Sequence, residues 1–521
     1  MPSSVLAVTL FVALTAFISF WLLQSAPDEL IRECVFFGCT PIDAREFKQA
    51  RTMVHESDER LASLDVLGVV NLASRRVNGS DTASAVVHML LERQHDKLCK
   101  RCHVAEALRL LEHITEAFPA LAARSALQLR KAETSRLLGH EAAAHTAIRA
   151  AMSLAASEGE NSLPTLADAF LMQGDYAEAF RLYRSAHVRT RAAGGANTDI
   201  VSTFKLEHDL AQLEHLGISG PQPAYRAALA ALAAMPPAAA ALTDPAGRPV
   251  LNLGSLRPES VRAQLFAQFN APHHLPRAYD VWDGDGTLNR AHDFAAHEVA
   301  YLAGDIVVID DFLSPEALVL LHTLSSEATV FNAAMPGGYI GAMHRDGWAP
   351  AVLAAVAHEL EAALPAVFAG HSLRKWWAFK HDSRHAPDGI FAHADEAAVN
   401  VNFWITPDEA NIGARSADAQ GGLIVYEHHP DDSAFEAGQA QSYHSSSEER
   451  ARRHEAVGTG RIQRVVPYKA NRAVLFSSRK WHATDRHRFE GGLGKHRVNL
   501  TLLFGLLAAV QCASSASDVG V

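Results

Sequence analysis

Apolar and polar positions follow three different rhythms along this chain. From residue 31 to 218 small and apolar residues return at helical spacing, and the pattern repeats. In "AEALRLLEHITEAFP" they fall at Ala107, Leu111 and Ile114, with Pro119 closing the unit. In "LLGHEAAAHTAIRAAM" the same offsets give Gly139, Ala144, Ile148 and Ala151, and in "MQGDYAEAFRLYRSA" they give Gly174, Ala179, Tyr183 and Ala186. The equivalent residues Ala107, Ala144 and Ala179 lie 37 and 35 residues apart. Residues 219–300 shift to Pro, Ala and Gly, centred on "MPPAAAALTDPAGRPV", and read as a linker with a short helix over Arg257–Phe269. From 301 to 510 the period changes again. A β-branched run meets Asp310 and Asp311, Ser314 and Pro315 supply an N-cap and first helical residue, and an amphipathic helix follows. After a second helix, "AVLAAVAHELEAALPAVF", come period-2 runs: "LRKWWAFKHD", "EAAVNVNFWIT", "GGLIVYEH", "RIQRVVPY", "RAVLFSS" and "HRVNLTLLFG".

Helices followed by a meander of short strands predict an α+β domain with a sandwich or barrel core, for which a jelly roll is the natural candidate. The fold class expected is therefore multidomain: an N-terminal membrane helix, an all-α repeat region, and a C-terminal α+β domain. The repeat spacing resembles that of tetratricopeptide repeats, whose glycine permits a tight helix crossing and whose small residues let paired helices approach closely. An irregular bundle fits the same offsets, since Ala-rich helices generate them readily.

The membrane helix is expected from Val5 to Leu23, 19 residues without a charge. As a helix this segment spans roughly 28 Å, about the hydrocarbon thickness of a bilayer. The flanks lack a basic region, and the candidate cleavage site has Gln24 at the −3 position and Pro27 after the cut. These features favour a retained signal anchor over a cleaved signal peptide within residues 1–30, with a buried cytosolic helix as the third reading. Single-pass insertion would place the body in the lumen or outside the cytoplasm, and cleavage would make it secreted.

The cysteines suit that setting. Cys34, Cys39, Cys99 and Cys102 read most simply as two disulfides, with Cys512 left over in the tail, 511–521. "NGS" at Asn78 matches a glycosylation acceptor. "CKRCH" has the form of a c-type haem attachment site, on a polar stretch that gives it little support. The chain's 521 residues are 48% hydrophobic and 20% charged, ordinary for folded protein. A net charge of −11 without a lysine-rich block lacks the basic footprint of a nucleic-acid binder, so no nucleic-acid partner is expected.

The candidate chemistry begins in "GIFAHADEAAVNVNFWI". His393 and Asp395 stand two residues apart at the mouth of a strand, where a carboxylate is costly without a partner. In a strand such residues share a face about 6.8 Å apart, and can converge on one metal ion. A third ligand is expected from a neighbouring strand, and "AVLFSSRKWHATDRHRF" offers His482 at the end of an apolar run, with His487 as its competitor. Two histidines and one carboxylate make the facial triad of non-haem Fe(II) oxygenases. In "HRVNLTLLFG", Val498, Leu500, Leu502 and Phe504 fall on one face and Arg497, Asn499 and Thr501 on the other. Arg497 sits where a guanidinium could clamp a carboxylate inside the domain, or form a structural salt bridge.

Residues 303–506 resemble the 2-oxoglutarate/Fe(II)-dependent dioxygenase superfamily, with a prolyl 4-hydroxylase-like layout, and resemble especially proteins that join tetratricopeptide repeats to such a domain. The matching pieces are "VIDDFLSPEAL", "WWAFKHDSR", "HADEAAVNVNFWITPDEAN", "GGLIVYE", "VPYKANRAVLFSSRKWHATD" and "RVNLTLLFG". The resemblance implies a double-stranded β-helix (jelly-roll) core, with Fe(II) at His393, Asp395 and His482 and 2-oxoglutarate at Arg497. It also implies O2 as co-substrate and admits ascorbate as a reductant. Collagen-type prolyl hydroxylases carry lysine where Arg497 stands, and many relatives carry serine at the position of Asn499, which is taken here as a second cofactor-binding residue. Collagen proline is therefore not inferred as substrate.

The expected function is hydroxylation of a polypeptide, with release of succinate and CO2 and with the helical repeats as the polypeptide-binding surface. The alternative is a membrane-anchored repeat adaptor with a catalytically silent dioxygenase-like domain. Halogenation is disfavoured because halogenases of this type generally lose the carboxylate that Asp395 provides. A purely structural His–Asp pair is the plain alternative at 393 and 395. His428 and His429 read as a solvated loop, Trp376, Trp377 and Trp404 as core or pocket wall, and the polar insertion 430–464 as a lid or a mobile loop.

Overall fold

A computed structural model describes residues 91, 94–99, 101–118, 124–192, 199–235, 242–243, 247–335, 337–384, 389–414, 420–427, 457 and 461–506. The apolar segment 5–23, Cys34, Cys39, Asn78, His428, His429, Cys512 and most of the insertion 430–464 lie outside the described residues. Among the described residues no helix is long and apolar enough to cross a membrane. The chain divides into two compact units between His140 and Glu141.

In the first unit, α1 (Val104–Ala117) buries Val104, Ala107, Leu110, Leu111 and Ile114, the face that the 3–4-residue spacing sets up. Helix α2 (Ser125–Leu137) ends where the His140 N–H donates to the Ser135 carbonyl across Gly139, whose φ is +73°. A Cβ on Gly139 would meet nothing within 4 Å, and the same holds at Gly174, with φ of +79°. These glycines serve left-handed helix caps rather than the tight helix crossing expected of them. The two-disulfide reading also changes. Cys102 is disulfide-bonded, but Cys99 is a free thiol, 3.7 Å from His95 Nε2, and burial beside the Asp96 and Glu133 carboxylates pushes its pKa up to about 12.

The second unit opens with α3 (Glu141–Glu158), α4 (Leu163–Gln173) and α5 (Tyr176–Ala192), in which Ala144, Ile148, Ala151, Ala179 and Tyr183 are fully buried. Then come β1 (Ile200–Ser202), α6 (Thr203–His215), α7 (Gln222–Ala233), β2 (Leu242–Thr243), β3 (Pro249–Asn252) and α8 (Glu259–Phe266). Residues 219–300 are thus not a linker. Strands β1, β3 and β2 form an antiparallel sheet, and Tyr225, Leu232, Leu253, Leu265 and Phe269 share one core with Val201, Leu206 and Leu213. The Pro- and Ala-rich composition hid this core because its large apolar residues are spaced widely between small ones.

After α9 (Phe294–Leu302) come β4 (Val307–Ile309), α10 (Pro315–Glu327), β5 (Ala333–Met335), β6 (Tyr339–Met343), α11 (Ala351–Ala363), β7 (Leu373–His381) and β8 (Val399–Trp404). The chain continues through β9 (Leu423–Tyr426), β10 (Ile462–Val466), β11 (Ala473–Ser477), β12 (His482–Thr484) and β13 (Arg497–Phe504). Ser314 caps α10 by accepting from the Ala317 N–H at 3.3 Å, with Pro315 in the first turn, as the sequence predicts. Together these elements make a mixed α+β architecture.

Seven strands pair antiparallel in the order β4-β11-β8-β13-β7-β6-β5, and a smaller antiparallel sheet has the order β10-β9-β12. A bridge between His393 and His482 extends the small sheet past β12. One face of the large sheet, with Val498, Leu500, Leu502 and Phe504, joins the core that includes Leu353 and Leu360 of α11.

That same core takes in the helices that precede the sheet. Phe180 of α5 stacks on Trp376 of β7 with ring centroids 4.1 Å apart, and Arg184 donates to the Ala349 carbonyl at 2.7 Å. The boundary expected at residue 218 therefore falls inside this unit, because large apolar side chains of α4 and α5 are buried in the same core as the sheet.

Candidate metal centre

The far face of the strands carries the polar residues. His393 and His482 face each other across the bridge and exchange both backbone hydrogen bonds, at 2.9 Å and 2.8 Å. Two residues on, the Asp395 N–H donates to the Ser478 carbonyl at 3.1 Å, which brings the carboxylate back toward His482. Asp395 Oδ2 lies 3.4 Å from His482 Nε2, and the imidazole centroids are 4.2 Å apart. One ligand atom from each of His393, Asp395 and His482 falls within 4.8 Å of the other two. Asp395 and His482 are buried, and His393 is partly exposed.

The backbone also sets the tautomers. His393 Nδ1 lies 2.8 Å from the Phe391 carbonyl and His482 Nδ1 lies 3.0 Å from the Lys480 carbonyl. A carbonyl only accepts, so each Nδ1 carries the hydrogen and each Nε2 keeps its lone pair. This is the outer hydrogen bond that metal-binding histidines use to fix ring and tautomer.

Arg497 stands across the site. Its guanidinium is buried, Nε donates to the Gly421 carbonyl at 2.6 Å, and Nη2 donates to Gly422 at 3.3 Å. Nη1 is buried without a partner. Burial lowers the pKa to about 10, which leaves the group charged at neutral pH. The two glycines hold these carbonyls in place. A Cβ on Gly422 would fall 1.8 Å from the Val466 carbonyl oxygen, so only glycine lets the chain pass this close to β10. Next to Arg497 stand His381, its register partner on β7, and His487, both buried with neither ring nitrogen bonded. Burial, with the nearby guanidinium adding to it, pushes the His381 pKa well below its usual value and that of His487 down to about 3.

One pocket joins these groups, lined by His393, Asp395, His482, Arg497 and Asn499, with Trp377 and Phe379 as an aromatic wall. All five residues singled out in the sequence therefore meet in one place. His487, the competitor for His482, sits beside Arg497 and takes no part in the three-donor cluster. Trp376 is core, Trp377 lines the cavity, and Trp404 is buried with its ring 5.8 Å from the Arg497 guanidinium.

Sequence reading missed Asn400 and Asn402, which with Thr501 bridge Asn499 to Asp395 through hydrogen bonds. The signal was present in "VNVNFW". Two asparagines alternate with valines there, and both are buried. No family model matches this chain, and no curated protein matches it.

Proposed function

We propose that this chain is a 2-oxoglutarate- and Fe(II)-dependent dioxygenase that hydroxylates a polypeptide. The observation that carries the reading is a shared cavity with two unlike ends. One end converges two imidazole Nε2 lone pairs and a carboxylate, the donor set suited to Fe(II) with positions left open. The other end offers a buried guanidinium whose Nη1 lacks an acceptor, which suits the distal carboxylate of a dicarboxylic acid.

Strand order supports the same reading. From β7 to β13 the chain alternates between sheets: β7 in the large one, His393 at the small one, β8 large, β9 and β10 small, β11 large, β12 small and β13 large. That winding supports a double-stranded β-helix (jelly-roll) core. The buried Ala144 and Ala179 support tetratricopeptide-like pairing before it and hence a polypeptide partner. A single-pass anchor over 5–23, with the body lumenal or extracytoplasmic, belongs to the same proposal.

His393, Asp395 and His482 would hold the metal, with the carboxylate offsetting one unit of its charge. When bound, Fe(II) with 2-oxoglutarate supplies O2 activation coupled to release of succinate and CO2. Arg497, with Asn499 beside it, would orient the co-substrate by its distal end. Trp377 and Phe379 would exclude water and present an apolar wall to the side chain that is oxidised.

The test is anaerobic absorption spectroscopy of the full chain with Fe(II), then 2-oxoglutarate. A visible charge-transfer band is expected in wild type, absent in His393→Ala and needing far more 2-oxoglutarate in Arg497→Ala. A folded wild type without the band overturns the iron and co-substrate assignment and leaves the repeat adaptor as the reading.

A further inference from the structure

Strand β8 is apolar on the face it turns to the core, with Val399, Val401 and Phe403 buried there. Its other face carries Asn400 and Asn402, 0% and 5% exposed. A buried amide is costly unless its hydrogen bonds are made, and valine at either position would be the cheaper residue in a strand. Both the oxygen and the nitrogen of each amide are instead engaged, in one direction. Asn499 Nδ2 and Thr501 Oγ1 donate to Asn402 Oδ1 at 3.1 and 2.7 Å. Asn402 Nδ2 donates to Asn400 Oδ1 at 2.5 Å, and Asn400 Nδ2 donates to Asp395 Oδ2 at 2.7 Å. Thr501 and Asn402 are direct register partners across β13 and β8, so the relay crosses strands without a gap.

We propose that Asn400 and Asn402 are positioning residues that hold the Asp395 carboxylate for the metal and connect it to the co-substrate end of the cavity. The proposal rests on the reading of His393, Asp395 and His482 as a metal site. Three features of the relay support it. The oxygen that accepts from Asn400 is the one 3.4 Å from His482 Nε2, so the amide fixes the rotation of the carboxylate that faces the other donors. Every donor in the chain points toward Asp395, so the amide dipoles align and each bond polarises the next. The relay also starts at Asn499 and Thr501, which line the cavity together with Arg497, where a bound dicarboxylate would contact it.

Outer hydrogen bonds of this kind typically change metal affinity by about 10–100-fold when removed. The experiment is anaerobic equilibrium dialysis of the full chain with Fe(II), and with Co(II) to read the ligand field, using Asn400→Ala, Asn402→Ala, the double variant and Arg497→Ala. Melting of the metal-free proteins monitors the fold. Asn400→Ala should weaken metal binding about 10–100-fold and shift the Co(II) absorption. Asn402→Ala, which does not touch Asp395, should weaken it by a smaller factor, and the double variant should be no weaker than Asn400→Ala because the two act as one relay. Arg497→Ala, off the relay, should bind metal as wild type does.

Metal affinity in folded Asn400→Ala within twofold of wild type overturns the relay while leaving the metal site standing. If Asn400→Ala does not fold, Asn402→Ala decides, and unchanged affinity there overturns it. A wild type that binds neither metal overturns the metal site and the relay together.

Discussion

His393 and His482, 89 positions apart in the chain, are locked face to face by two reciprocal backbone hydrogen bonds, and their imidazoles are fixed by carbonyls two residues upstream of each. Neither restraint uses the Nε2 atoms. The donor set is therefore built by the fold alone, and a metal bound there would not have to offset much ordering of the ligands.

That preorganisation separates metal binding from stability. His393→Ala keeps the backbone bridge and removes a partly exposed side chain. We expect it to lower metal affinity by at least about 100-fold while costing the metal-free fold no more than about 1 kcal/mol. Metal titration beside a denaturant melt checks both halves. A melt collapsing along with the affinity would show the pair to be structural.

Arg497 should resist conservative replacement. Lysine keeps the charge but offers no planar fork, so it cannot serve the Gly421 and Gly422 carbonyls and a ligand carboxylate together. A lost charged hydrogen bond is worth about 1.5–3 kcal/mol, so Arg497→Lys should raise the 2-oxoglutarate dissociation constant roughly 10–150-fold. Metal affinity should stay unchanged. Calorimetric titration of the co-substrate into the Fe(II)- or Mn(II)-loaded variant reads this directly, and wild-type affinity would place the carboxylate elsewhere.

How much of this was visible in the sequence depends on how local each restraint is. His393 and Asp395 announce themselves because they stand two residues apart just ahead of one strand, and Arg497 because a charge interrupts a period-2 apolar run. His482 could be told from His487 only by register: the bridge to His393 selects one, and burial beside Arg497 takes the other. Asn400 and Asn402 were illegible for the converse reason. Alternation of valine and asparagine has the same signature whether the polar face meets water or a buried hydrogen-bond network. The core formed by Tyr225, Leu253 and Phe269 was missed because it joins residues from several separate elements, with small residues between the large apolar ones.

The buried histidines predict acid lability. Burial holds His208 and His487 near a pKa of about 3 and His496 near about 4, and holds His344 and His381 well below the ordinary value. Unfolded, each titrates near 6.5. Between that value and its folded pKa the unfolded chain binds a proton that the folded chain refuses, so stability is intact above about pH 6.5 and falls as the pH drops below it. Each such histidine removes up to about 1.4 kcal/mol per pH unit in that window. Denaturant melts of the metal-free protein from pH 7.5 to 5 should show a steep loss, made shallower in His487→Phe. A flat profile would mean that the folded protein protonates these rings freely.

The Phe180–Trp376 stack predicts where the chain can be cut. Trp376 is 0% exposed and α5 supplies one whole side of its surroundings, Phe180 on its face and Tyr183 on its edge at 5.5 Å. The Leu373 N–H donates to the Tyr176 hydroxyl at 3.0 Å, so the start of β7 is also hydrogen-bonded to the same helix. A fragment from residue 301 to 510 would expose this aromatic cluster and leave the Leu373 amide and the Ala349 carbonyl without their helix partners. Truncating one buried phenylalanine costs about 3–5 kcal/mol, a large part of the 5–15 kcal/mol that holds a typical domain together. We therefore expect a fragment starting at Glu141 to be soluble with a cooperative melt, one starting at residue 301 to aggregate or melt without cooperativity, and Phe180→Ala in the full chain to lower the denaturation midpoint of the sheet unit. Equal cooperativity in the two fragments would show that α4 and α5 merely rest on the sheet, and would return the boundary to the position the composition suggested.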